Sequence, residues 1–250
     1  MVSRFDILER KKIIEWSQFT LWNKEGEIGL NYLIQERKLK KETIKKFNLG
    51  FVPPDVNHQL ANRIIFPIFD SSNHLIAICS RLIHNEKSDL PIYWHEEFNK
   101  SFYLYGMNLS KESIRNKKYT IITEGNFDVI KCHDEGLFNV VGLLGSTISD
   151  IQLSVILRYC ENVIFIFDND ENLSGQKGSA KTKKKIEQYS SVLNSNHEYK
   201  NASRLNLLNS YFVSLPNCNT DPDSFIRKHG ISSLKSLVRK GIDSIKETNV

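Results

Sequence analysis

From Lys118 onward the chain alternates short apolar runs with stretches of helical spacing, and this alternation constrains its architecture more than any other feature. "YTIITEG", "FNVVGL", "NVIFIFDND" and "YFVSLP" read as strands. Between them "NFDVIKCHDEGL", "ISDIQLSVILRYC" and a lysine-rich segment around residues 177–190 have helical spacing. Strands separated by helices pair in parallel, and the crossover helices cover both faces of the resulting sheet. Val163–Phe167, five consecutive apolar residues, therefore reads as a central strand buried on both faces. It runs directly into Asp168 and Asp170, two carboxylates separated by one residue.

The preceding and following segments read differently. Residues 1 to about 50 are helical and basic and stop at Gly50 and the Pro53-Pro54 pair. Two β-rich runs within residues 63–83 flank "DSSNH", a hairpin signal. The last thirty residues read as one or two short helices. The expected division is a mixed α+β, helical and basic subdomain over 1–117, an α/β domain over 118–216, and a helical segment over 217–250.

Composition narrows the class only a little. Hydrophobic residues make up 40% and charged residues 25%, values of an ordinary soluble protein, and the net charge of +5 is compatible with a polyanionic partner without requiring one. Cys79, Cys132, Cys160 and Cys218 are far apart and form no C-x-x-C pair, so neither a zinc ribbon nor a disulfide framework is expected. No apolar run is long enough to span a membrane and the N-terminus is charged throughout, so a cytosolic protein is expected.

Acidic residues gather at the expected carboxyl ends of the strands, where ligands bind in parallel α/β sheets. Glu124 ends the first strand and Asp128 follows one helical turn later. Asp168 and Asp170 end "VIFIF", and Asp221 and Asp223 follow "YFVSLP". Residues i and i+2 of an extended segment point the same way, so Asp168 and Asp170 can converge with Asn169 turned aside. Converging carboxylates repel unless a cation lies between them, and oxygen-only ligands suit Mg²⁺ or Mn²⁺. A D-x-D that simply opens a loop is the competing reading. A calcium loop fails because Leu173 replaces the required glycine and Ser179 the closing glutamate, and "LSGQKGSAK" lacks P-loop spacing.

"TEGNFDVI", "GLLGSTIS", "FIFDND" and "DPDSFIRKHG", in that order, resemble the TOPRIM module. Together with "YLIQERKLKKETIKKFNLGFVP", "NRIIFPIFDSSNHLIAICSRLI" and "FNKSFYLYGM" upstream, they resemble the catalytic core of bacterial, DnaG-type primases over roughly residues 30–230. The resemblance implies a TOPRIM (Rossmann-like, mostly parallel sheet) domain, preceded by a mixed α+β basic subdomain and followed by short C-terminal helices.

It implies that Glu124, Asp128, Asp168 and Asp170 are catalytic. A metal set of Glu124, Asp168, Asp170, Asp221 and Asp223 would hold Mg²⁺ or Mn²⁺, two ions in all, with no zinc. Arg63, Arg81 and Lys100 would contact template phosphates or the incoming nucleotide. The activity implied is synthesis of short RNA primers on single-stranded DNA from ribonucleoside triphosphates. A replicative helicase, a separately encoded zinc-binding template-recognition protein and a bacterial or phage-infected cytoplasm complete the expectation.

A TOPRIM nuclease and a non-catalytic DNA-binding accessory are the alternatives. The upstream basic segment argues against the first, and the full set of acids against the second. Three departures from the family pattern stand out. Asn126 replaces a tyrosine, Asn169 replaces the glycine of D-G-D, and Ile92 stands where a P-K-Y lysine is usual. Trp94, His95, Glu96 and Glu97 read as a packed loop, and Lys183–Lys185 as a solvated helix face.

Overall fold

The computed structural model describes residues 6–56, 58–83, 90–169, 180–187, 208–216 and 220–248. The chain forms two compact units, Met1–Asn99 and Lys100–Val250. Among the described residues no helix is long and apolar enough to cross a membrane.

In the first unit, α1 (Ile7–Leu21) starts at an Asp6 N-cap whose carboxylate accepts from Glu9 N–H while the Glu9 side chain accepts from Asp6 N–H. After α2 (Glu27–Asn31) comes a π-helical turn over Tyr32–Glu36, then α3 (Lys41–Lys46). The strands β1 (Gly50–Val52), β2 (Arg63–Phe69), β3 (Leu75–Leu82) and β4 (Tyr93–His95) form an antiparallel sheet in that order. The expected hairpin is β2–β3. Its turn is held by Asp70 Oδ1, which accepts from the N–H groups of Ser72 and His74 at 2.8 and 2.9 Å. Gly50 lets α1 sit on the sheet, because a Cβ there would lie 2.1 Å from Ser17 Oγ. Ile14, Val52, Leu60, Ile65 and Ile78 make the core beneath α1.

Polar groups also tie this unit together. Arg10 Nη2 and Nε donate to the buried Glu96 carboxylate at 2.6 and 2.9 Å, and Glu96 accepts from Ile78 N–H at 3.0 Å. Glu96 thus belongs to an internal ion pair, and Trp94 and His95, expected in a loop, lie in β4.

The second unit is the α/β domain. It contains α4 (Met107–Lys117), β5 (Tyr119–Thr123), α5 (Asn126–Asp134), β6 (Val140–Gly142), α6 (Asp150–Ile156) and β7 (Asn162–Ile166). A helix over residues 180–187 (α7), β8 (Asn209–Val213), α8 (Pro222–His229) and α9 (Ile231–Thr248) complete it. The sheet order is β6-β5-β7-β8 and every pairing is parallel. This unit begins at Lys100 rather than at the boundary expected near residue 118, because α4 packs on β5 and β6.

The central strand is buried on both faces for the expected reason. Ile122, Val141, Val163 and Phe165 face Ile114 of α4, Leu153 and Ile156 of α6 and Ile186 of α7. Strand alternation sends Ile121, Val140, Ile164 and Ile166 to the other face, all fully buried. There α9 lies against β7 and β8. Gly241 makes room for the ring of Tyr211, the parallel partner of Ile164; a Cβ at 241 would come within 2.5 Å of it. Each such large apolar side chain stabilises the fold by roughly 1.5–3 kcal/mol.

The chain leaves β5 for β6 on one side, then crosses back to β7 on the other. The crevice outside the carboxyl ends of β5 and β7 is therefore the topological switch point of the sheet.

Candidate functional site

Glu124 and Asp168 meet at that switch point. Glu124 follows β5 directly, Asp168 follows β7 by one residue, and the backbone N–H of Asp168 donates to Glu124 Oε1 at 3.1 Å. The main chain of Glu124 is held from the other side, its carbonyl accepting from Leu144 N–H at 3.2 Å. Leu144 sits at φ 59, in the left-handed region that a leucine rarely adopts. Strain of this kind is tolerated where the surrounding structure over-determines it, as functional sites commonly do.

Gly125 lies in close approach to the first turn of α5: a Cβ there would lie 3.0 Å from Asp128 Oδ2, tighter than an ordinary contact. That oxygen accepts from Gly125 N–H at 2.9 Å, at the start of α5, while Asp128 Oδ1 accepts from Asp223 N–H at 3.1 Å, at the start of α8. One buried carboxylate thus caps two helix N-termini from segments 95 residues apart. Burial pushes the Asp128 carboxyl well above its ordinary range, and the charges of Asp168, Asp221 and Asp223 push it further the same way.

Asp221 and Asp223 arrive on the first turn of α8. Asp221 is its N-cap and accepts from Ser224 N–H at 2.6 Å, with Pro222 next in the helix. Asp223 is buried and takes Arg227 as a two-pronged partner, Nε to Oδ1 and Nη2 to Oδ2, both at 3.1 Å. Asn169 fastens the D-N-D segment to this turn. Its backbone exchanges hydrogen bonds with Thr220, and its side-chain amide donates to Leu215 O at 3.1 Å. Asn169 is thus turned aside, and Asp168 and Asp221 stand beside the bridged pair. Asp170 lies outside the described residues. Among the described residues no three acidic, histidine or cysteine groups close into a metal-ready set.

The basic residues divide. Arg63, expected at a phosphate, is buried, and its guanidinium donates to the carbonyls of Ile92 and Pro91 at 3.1 and 2.8 Å. The structure therefore gives it an internal role, stapling β2 to the segment before β4. Arg81 is half-buried. It donates to Tyr32 Oη at 3.0 Å and Tyr93 Oη at 2.6 Å, with its guanidinium 4.8 Å from the Tyr93 ring centre. Arg37, which sequence reasoning passed over, donates to the same Tyr32 oxygen at 2.9 and 2.7 Å. Two guanidinium groups are thus gathered on one phenol oxygen. Only the run of charge around Arg37 signalled it, and that run reads equally as a solvated face.

Lys100 opens the second unit in a 3₁₀ turn whose carbonyl accepts from Gln152 Nε2 at 3.2 Å. In the lysine run, Lys183 and Lys184 are exposed as expected, whereas Lys185 pairs with Asp150. Arg227 is the other residue missed; its i,i+4 spacing from Asp223 is the signal that locates it.

Comparison with known proteins bears on the fold. A family model described as Toprim-like matches residues 121–206. The DNA primase of Buchnera aphidicola subsp. Baizongia pistaciae is 29% identical over 252 residues, covering 87% of this chain and 40% of the relative. The DNA primase of Legionella pneumophila is 27% identical over 247 residues, covering 86% of this chain and 39% of its own length. The chain therefore spans about two fifths of the curated relatives it matches.

Among solved structures, the DnaG catalytic core superposes with a TM-score of 0.76 at 21% identity, over 93% of this chain and 79% of that one. A DNA primase domain from Pseudomonas aeruginosa gives 0.74 at 23% identity, over 93% and 77%. A mostly parallel sheet with acids at its switch point, the Toprim-like match and these relatives make the chain similar in sequence to DNA primases, with the fold of the DnaG catalytic core.

Proposed function

We propose that this chain synthesises short RNA primers on single-stranded DNA by divalent-metal-dependent nucleotidyl transfer. The observation that carries the proposal is the meeting of Glu124 and Asp168 at the switch point, with Asn169, next to Asp168, bridged to Thr220, next to Asp221. The donor set fits a hard divalent ion. It is all oxygen, the donor type that Mg²⁺ and Mn²⁺ take. Glu124, Asp168 and Asp221 would hold Mg²⁺ or Mn²⁺, with Asp170 joining them from outside the described residues. When bound, the ion supplies charge neutralisation for the attacking 3′-hydroxyl and the pyrophosphate leaving group.

The protein's own residues supply position. Backbone donors hold the acids in place before substrate arrives, so little reorganisation remains at the moment of reaction. Arg81 and Arg37, gathered on Tyr32, are suited to phosphate oxygens of template or nucleotide, since a guanidinium binds such oxygens in bidentate fashion. Lys100 is a further phosphate contact in this reading.

The Aquifex aeolicus primase structure combines zinc-binding and RNA polymerase domains. For this chain, a zinc-binding module supplied in cis or in trans would select the template, a replicative helicase would deliver it, and the work would be done in a bacterial or phage-infected cytoplasm. The test is incorporation of labelled ribonucleotides on single-stranded DNA with Mg²⁺ or Mn²⁺. Template-dependent RNA products are expected. Cleavage of the DNA without incorporation would instead identify a TOPRIM nuclease.

A further inference from the structure

We propose that the outward face of α1 is a self-association surface, and that its occupant is the same face of a second copy of this chain, laid antiparallel. The proposal stands on the first unit alone and does not depend on the metal-dependent reading above.

α1 carries two opposed stripes. Arg10, Ile14, Ser17 and Leu21 are buried against the rest of the unit. Offset from them by two residues, and so on the opposite side of the helix, lie Leu8, Lys12, Glu15 and Phe19. Leu8 is 60% and Phe19 69% exposed, and Lys12 and Glu15 are exposed as well. Trp16, 44% exposed, widens the apolar surface. Large apolar side chains gathered in the open with charges among them mark an interaction surface. Among the described residues neither Lys12 nor Glu15 has an ion-pair partner within its own chain.

The order of the stripe selects the occupant. It reads apolar, positive, negative, apolar. Turned end for end, it reads apolar, negative, positive, apolar. Two copies packed antiparallel about a two-fold axis between Lys12 and Glu15 therefore set Leu8 opposite the second copy's Phe19, and Lys12 opposite the second copy's Glu15. Symmetry makes each of these pairs occur twice. The same register brings Lys11 opposite the second copy's Trp16, where a lysine stem and ammonium suit the face of an indole. Beside Phe19 lies a cavity of about 540 Å³, lined also by Glu15, Trp22 and Leu49. The second copy's Leu8 arrives at its mouth. Single-stranded nucleic acid, the other occupant a basic segment invites, would set phosphate against Glu15. One helix face per copy makes a small interface, below about 1,200 Å² in total, so a dissociation constant of about 1–100 µM is expected.

The test is the mass of the full chain by sedimentation velocity, without metal or nucleic acid, with circular dichroism as the check on folding. A reversible monomer–dimer equilibrium is expected between about 1 and 200 µM, a range that brackets the expected constant. Lys12→Glu sets glutamate against glutamate at both central pairs, and Glu15→Lys sets lysine against lysine. Each variant alone is expected to dimerise about tenfold more weakly or worse. Mixed in equal amounts, the two form a heterodimer in which every central pair is again of opposite sign. Its association is expected to return to within about threefold of the unsubstituted chain. Phe19→Ala is expected to weaken the dimer by about tenfold; if that variant does not fold, the charge variants carry the test.

A chain that stays monomeric throughout the range overturns the proposal. If that monomer binds a thymidine oligonucleotide, and Phe19→Ala binds it less tightly, the face belongs to single-stranded nucleic acid instead. A dimer that Lys12→Glu leaves unchanged places the contact on another face and overturns the proposal too. So does a mixture no stronger than its components, which excludes the antiparallel register. None of these outcomes bears on RNA synthesis, so the proposed function stands or falls separately.

Discussion

The backbone N–H of Asp168 donates to Glu124 Oε1 at 3.1 Å, joining residues 44 positions apart at the ends of two adjacent parallel strands. The main chain of one acid restrains the side chain of the other, and both carboxylates are held at one pole although they repel. Such a site sacrifices stability for function. Asp168→Asn is therefore expected to lower ribonucleotide incorporation by about 100- to 1,000-fold. It should also raise the melting temperature of the metal-free chain by about 2–4 °C, as one of the charges crowding Asp128 is removed. Differential scanning calorimetry beside the incorporation assay checks both. A large fall in melting temperature would mean that the residue is needed for folding instead.

Asp128 makes the metal-free fold sensitive to pH. Its carboxyl is raised in the folded chain, by burial first and by neighbouring carboxylates second, so the folded state holds that proton more tightly than the unfolded state does. Ionising it costs stability. The cost is absent below the ordinary value of 3.8, grows as pH rises toward the raised value, and is complete above it. The melting temperature of the unsubstituted chain minus that of Asp128→Asn should accordingly fall as pH increases through this window. A difference independent of pH would contradict the assignment.

In the first unit the Arg10–Glu96 pair is buried, with Glu96 also serving Ile78 N–H. Arg10→Ala would strand a carboxylate in the interior, at an expected cost of about 3–5 kcal/mol in urea unfolding. A cost below about 1 kcal/mol, the range of exposed pairs, would mean that water reaches Glu96.

Cys132 and Cys160 should be inert toward alkylation in the native chain at pH 8. Burial pushes the Cys160 thiol up to about 12, and burial pushes Cys132 well above its ordinary range, with the charges of Asp128 and Asp223 adding to it. Peptide mapping after brief exposure to iodoacetamide checks this. Rapid labelling of either thiol would contradict the packing around it.

The α/β domain was legible because its signals are local. A buried strand is a run of apolar residues, and an acid ending such a run sits at the sheet's ligand-binding edge. Glu124 and Asp168 could be found in this way. Asp128 could be located but its work could not be read, because the second N–H it caps lies on a helix that begins nearly a hundred residues later.

The burial of Arg63 could not be read for a similar reason. What buries it is the pair of carbonyls at Pro91 and Ile92, and nothing in "NRIIF" announces them. Arg37 was missed because its partner, Tyr32, opens a π-helical turn whose spacing follows no ordinary helical pattern. The final helix, expected to be short, runs 18 residues through Gly241. That glycine reads as a helix breaker, yet packing against Tyr211 requires it.

The most direct test of the account is the dependence of RNA synthesis on Mn²⁺, measured on single-stranded DNA for the unsubstituted chain and for Asp168→Asn side by side. The account predicts metal-dependent incorporation by the former and a loss of about 100-fold or more in the latter, with the fold intact. Incorporation that persists undiminished in Asp168→Asn would contradict it.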